Sequence, residues 1–134
     1  MNKKKDRNEK LVAYFVSDEP SGRKSGPMAL EIYHKGDGSD NSIDYLCHII
    51  KADYFDVITR YIDGEAYDFV IDDEGHLCRK ATTATTINGE RYENIAGCVL
   101  IFGKTDRGGW KSLEKADVER IEKSFVGSLL YYSL

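Results

Sequence analysis

Cysteine is scarce in this chain of 134 residues, and the little there is excludes two architectures. Cys47, Cys78 and Cys98 form an odd set with no Cys-x-x-Cys pair, so neither a disulfide framework nor a zinc ribbon is written here, and reduced thiols in a cytoplasm are expected. Long apolar runs are lacking too. No stretch approaches the ~20 residues that cross a bilayer. The apolar run behind the N-terminus, Leu11 to Val16, is short and lacks a small-residue cleavage site, so neither a membrane span nor a secretory leader is expected. Catalytic signatures are missing as well: no Ser-His-Asp spacing, no metalloprotease His pair and no nuclease-like Glu-x-Lys strand can be read. No catalytic, metal-binding or cofactor-binding residue is therefore assigned, and a non-enzymatic role is the leading expectation.

Three stretches imitate ligand sites and fail on their own chemistry. A phosphate loop needs Gly-x-x-x-x-Gly-Lys-[Ser/Thr] with a helix directly behind it. In Gly97-Cys-Val-Leu-Ile-Phe-Gly-Lys-Thr105 the first glycine position is Cys98, the intervening residues are core formers, and a turn is expected after Thr105. A calcium loop starting at Asp37 would want Gly at Ser42 and Glu at His48. Cys47-His48 and His76-x-Cys78 could offer zinc ligands, but adjacent residues on a helix diverge by about 100°, so Cys47 and His48 cannot easily face one ion.

What the chain does have is a core and a carboxylate surplus. With 41% hydrophobic and 31% charged residues it is expected to fold as one domain. Residues 1–10 are polar, net +3 and aperiodic, and read as a disordered basic tail ahead of a single domain over 11–134. Leu11 to Val16 and Met28 to His34 read as strands, with a Gly/Pro/Ser-rich loop between them. Ile43, Leu46 and Ile50 recur at helical spacing up to Lys51. From Tyr54 the period becomes two, and Asp63-Gly64 predicts a type I′ hairpin, with Asp73-Glu-Gly75 as the next turn. Asn88-Gly89 predicts a second hairpin that sets Thr85 to Ile87 against Glu90 to Tyr92. Cys98 to Phe102 reads as a strand buried on both faces. A helix capped by Ser112 or Glu114 follows, with Leu113, Val118, Ile121 and Phe125 as its stripe and Gly127 at its end; the apolar 129–134 then lies on the core or forms an edge strand. The sum is an α+β domain, a mainly antiparallel sheet of about six strands with two helices packed on one side.

Between Asp37 and Gly75 eleven carboxylates face only Lys51 and Arg60, a net charge of −9. Asp53, Asp56, Asp63, Glu65, Asp68, Asp72, Asp73 and Glu74 are the candidate partner-binding residues, since on one face they would imitate a row of phosphates. The tyrosines Tyr54, Tyr61, Tyr67 and Tyr92 could stack on bases, but acidic neighbours repel phosphates, which leaves only weak, salt-sensitive nucleic-acid contact through the tail.

Tyr67-Asp-Phe-Val-Ile-Asp-Asp-Glu-Gly75, Ile95-Ala-Gly-Cys-Val-Leu-Ile-Phe-Gly103 and the helix start Ser112-Leu113 resemble the small domains of unknown function carried by phages and conjugative elements of Gram-positive bacteria. The likeness spans residues 42–123. The threonine-rich link Ala81 to Thr86 and the long first hairpin depart from it. The resemblance implies no catalytic residues. It implies a setting near counter-defence genes, and so an accessory protein that binds a protein partner, such as a basic, nucleic-acid-binding host defence protein, as a stoichiometric inhibitor of antirestriction or anti-CRISPR type. The alternatives are a small metal-dependent enzyme or ligand-binding domain using Asp56, Asp68 or Asp72, and a regulatory nucleic-acid binder using the tail.

Overall fold

The most apolar segment of the sequence sits at the centre of the molecule. The computed structural model describes residues 7–17, 25–34, 42–75, 82–87 and 91–124. Strands β1 (Arg7–Val16), β2 (Gly26–His34), β3 (Phe55–Ile62), β4 (Glu65–Asp72), β5 (Thr82–Ile87), β6 (Arg91–Ala96), β7 (Val99–Lys104) and β8 (Trp110–Lys111) accompany helices α1 (Ser42–Ile50) and α2 (Lys115–Ser124). The main sheet runs β2-β1-β7-β4-β3, with β8 also paired to β7, and β5-β6 form a separate ladder. Every strand pair is antiparallel. The expected α+β architecture is therefore present: the main sheet has the expected six strands, and among the described residues β5-β6 add a separate two-stranded ladder.

β7 is flanked by β1 and β4 and must be apolar on both faces, as Val99 to Phe102 are. Alternation sorts its side chains into two cores. Leu100 and Phe102 join Leu11, Ala13, Phe15, Leu30, Ile32 and Val70 under the α1 residues Leu46, Ile49 and Ile50. Val99 and Ile101 join Tyr14, Val16, Tyr67 and Phe69 beneath Ile121 of α2, Ile95 of β6 and Leu113. The helices thus take opposite faces of the sheet, where the sequence reading put them on one side. Both faces of β4 and β7 are too apolar to leave one in water, so each needs its own cover.

The local readings meet the structure closely. Asp63 and Gly64 turn β3 into β4 with φ of 50° and 80°, as a type I′ turn demands. α1 ends in a Schellman arrangement: the Ala52 N–H bonds the Cys47 carbonyl at 2.9 Å and the Lys51 N–H bonds the His48 carbonyl at 3.3 Å, with Lys51 at φ 57°. α2 starts behind Glu114, whose N–H bonds Asp117 Oδ2 at 2.8 Å and whose carbonyl accepts from Val118. β1 begins at Arg7, so the last four residues of the segment read as a tail pair with β2. In the β5–β6 ladder Ile87 faces Arg91, one residue beyond the expected partner Glu90. Residues 1–6, the Asn88-Gly89 turn, Phe125, Gly127 and the C-terminal 129–134 lie outside the described residues. Thr105 runs into a turn and then β8, so no helix follows the phosphate-loop look-alike.

Candidate functional site

One end of the β3–β4 hairpin carries the acidic surface. Asp53 precedes β3, Asp56 is its second residue, and Asp73 and Glu74 follow β4; all four are exposed. The turn that presents the last two is pinned. Asp72 Oδ1 accepts the Glu74 N–H at 2.9 Å, the Asp73 N–H bonds the Tyr54 carbonyl at 3.2 Å, and Gly75 packs so closely on β6 that a Cβ there would lie 2.6 Å from the Ala96 carbonyl oxygen. Among these carboxylates Tyr54 stands 67% exposed, and Ile43 in the first turn of α1 is 65% exposed. The negative field is shared across elements: burial first, then Asp44, Asp72 and Asp53, push the Cys47 thiol pKa up and keep it protonated.

The expected row of eight carboxylates is divided by the fold. Asp68 and Asp72 are only 4% and 8% exposed, so neither is presented to a partner. Asp63 and Glu65 sit at the far end of the hairpin, roughly 25 Å away by the rise of an eight-residue strand. Nor do the carboxylates of the enzymatic alternative converge. Thr59 reaches Asp68 across the sheet, so Asp56, three residues before Thr59 in β3, lies on the opposite face from Asp68 and Asp72. Among the described residues no group of three or more His, Cys, Asp or Glu side chains could hold a metal ion. Of the tyrosines considered for base stacking, Tyr54 and Tyr61 are exposed, Tyr67 is buried, and the Tyr92 side chain lies outside the described residues.

Asp68 serves the interior instead. Its Oδ1 accepts from Thr59 Oγ1 at 2.7 Å and from Lys104 Nζ at 3.3 Å, and its Oδ2 accepts from Trp110 Nε1 at 2.9 Å. The Trp110 ring stacks on Phe102 with centroids 4.1 Å apart. A buried carboxylate persists only when its charge and lone pairs are met in this way. The register makes the arrangement possible, because Thr59, Asp68 and Phe102 lie in one row across β3, β4 and β7.

Beside this network, at the Asp63-Gly64 end of the hairpin, is a polar cleft of about 380 Å³ lined by Tyr61, Glu65, Lys104, Asp106, Lys111 and Asp117 among others. Its floor is held by Tyr67, whose hydroxyl donates to Asp117 at 2.6 Å and accepts from Arg120 Nη1 at 2.6 Å. Burial first, then Asp117, pushes the Tyr67 hydroxyl up to about 12. Burial alone would raise the Asp117 carboxyl, but the Tyr67 hydroxyl, the Glu114 N–H and Arg120 together hold it below its ordinary value. Gly103 leaves room for the Lys111 stem, since a Cβ there would meet Lys111 Cγ at 3.0 Å. The sequence alone does not reveal this constellation. Its one local signal is Asp117 and Arg120 at i and i+3 on α2, and Lys104 stands out in the sequence only as a phosphate-loop lysine.

No protein-family model matches the chain, and no curated protein or solved structure is significantly similar to it.

Proposed function

We propose that this protein acts by binding, without chemistry of its own, and that it docks on a basic macromolecular partner through the Asp53, Asp73 and Glu74 end of the hairpin with Tyr54 as anchor. The observation that carries this reading is the exposed Tyr54 side chain beside the pinned turn that presents Asp73 and Glu74. Interfaces draw most of their energy from a few aromatic anchors, while surrounding charges steer encounter and select a partner of opposite sign. A turn fixed by Asp72 and Gly75 reduces the ordering cost on binding. The phage and conjugative-element setting implied by the resemblance points to a host nucleic-acid-handling defence protein, with this chain as its stoichiometric inhibitor.

The test is affinity capture from a host bacterial lysate with three baits: wild type, a variant with Asp53, Asp73 and Glu74 changed to Lys, and Tyr54→Ala. A basic protein retained by wild type should be lost by the charge-reversed variant and weakened at least tenfold in direct binding by Tyr54→Ala. The wild-type complex should also loosen as salt rises. Retention of the same proteins by all three baits would sink the proposal, and thermal stabilisation by magnesium or manganese would favour the metal-dependent alternative.

A further inference from the structure

β3 is the last strand of the main sheet, so half of its backbone groups point away from β4. Three observations say which half. Thr59 and Asp68 are directly opposite and bonded through their side chains, as the closer, non-hydrogen-bonded pairs of an antiparallel ladder allow. The Tyr54 carbonyl accepts the Asp73 N–H, so an even-numbered residue turns its backbone toward the β4 side. The Val57 N–H and the Thr59 carbonyl bond side chains of β3 itself. The outward backbone groups therefore belong to Phe55, Val57, Thr59 and Tyr61. The same strand exposes the Val57 and Tyr61 side chains, so its eight-residue edge carries two exposed apolar groups.

Such an edge is a template for another strand, yet its two middle positions are occupied. Asp56 Oδ1 accepts the Val57 N–H at 2.8 Å, and Arg60 Nη1 donates to the Thr59 carbonyl at 2.9 Å. Both capping side chains belong to even-numbered residues, so they rise from the same face of the sheet and curl over the edge. We propose that Asp56 and Arg60 are edge guards: they occupy the backbone groups that a second copy of this chain would need for β3-to-β3 pairing, and so hold the edge closed. A strand edge presented by every molecule meets its own copy first, and an antiparallel two-fold arrangement lets each edge satisfy the other. Asp56 thereby has a structural duty separate from the docking surface, and the inference stands whether or not a basic partner exists.

The experiment measures molecular mass in solution over a range of concentrations for the full chain, with circular dichroism to confirm the fold. The double variant Asp56→Ala/Arg60→Ala should move from a one-chain mass toward a two-chain or larger mass, with the outward amides of Thr59 and Tyr61 gaining protection from hydrogen exchange. Asp56→Asn removes the charge but keeps an acceptor oxygen, and should remain a single chain. Adding Val57→Pro to the double variant removes an outward N–H that β4 does not use, and should reverse the association. Should the double variant fail to fold, Asp56→Ala and Arg60→Ala are read singly by the same measures. The proposal is overturned if the folded Ala variants stay single chains, if Asp56→Asn associates as strongly, if proline leaves the association intact, or if wild type already pairs through β3.

Discussion

At the scale of single residues, the clearest consequence of burial is alkaline sensitivity. Tyr67 and Tyr14 both have hydroxyls pushed up to about 12, by burial first and then by Asp117 and Glu122 respectively. Each keeps its proton in the folded chain at a pH where the unfolded chain, with an ordinary value of 10.0, has lost it. Their contribution is therefore complete below about pH 10 and is lost as pH rises from about 10 to about 12. Denaturation midpoints should fall steeply across that window, and Tyr67→Phe should flatten the fall while weakening the fold at neutral pH, where Asp117 and Arg120 lose a partner. Equal midpoints at about pH 9 and about pH 11 would contradict this. None of it was legible in the sequence, where Tyr67 is one of nine tyrosines in the chain and lies in an acidic stretch. What singles it out are partners 50 and 53 positions away.

At the scale of elements, the turn inside the β3–β4 hairpin and the turn that follows β4 illustrate two kinds of glycine. Gly64 needs its positive φ of 80°, a local demand that Asp63-Gly64 announces in the sequence. Gly75 is required for a different reason, the approach of the Ala96 backbone from β6, which no local pattern reveals. Gly75→Ala should cost about 1–3 kcal/mol in urea denaturation, because the new methyl must push a backbone oxygen aside. An unchanged midpoint would mean that β6 can retreat. β8 makes the same point from the other side. Its two residues carry too little pattern to be read as a strand. They form one because β1 pairs with β7 only through Tyr14, Phe15 and Val16, which leaves the end of β7 open to Trp110 and Lys111. The Ser112 hydroxyl and the Leu113 N–H then bond the backbone of Val12 and close the gap.

At the scale of the whole molecule, two cores share one pair of strands. Leu46 of α1 and Ile121 of α2 are fully buried on opposite faces of a sheet whose β4 and β7 contribute side chains to both. Leu46→Ala and Ile121→Ala should each cost about 2–5 kcal/mol. Each should also shift one common transition, seen alike by Trp110 fluorescence, which reports from the α1 face, and by far-ultraviolet circular dichroism. Separate transitions in Ile121→Ala would show that the faces unfold independently.

The sequence by itself determined the strands apart from β8 and the first residues of β1, the helices, the type I′ hairpin and the α+β class, because period-two and helical spacing, turn chemistry and capping act over a few neighbouring residues. It also determined the apolar centre, since Val99 to Phe102 could lie nowhere but between other strands. Only the tertiary structure decided that the helices cover opposite faces, that Asp68 and Asp72 go inside, and that Tyr54 stands exposed among the remaining carboxylates of the hairpin end. A run of charge shows how many carboxylates there are. Which of them meet water depends on donors such as Trp110 and Lys104, brought to Asp68 by strand register across 42 and 36 positions of chain.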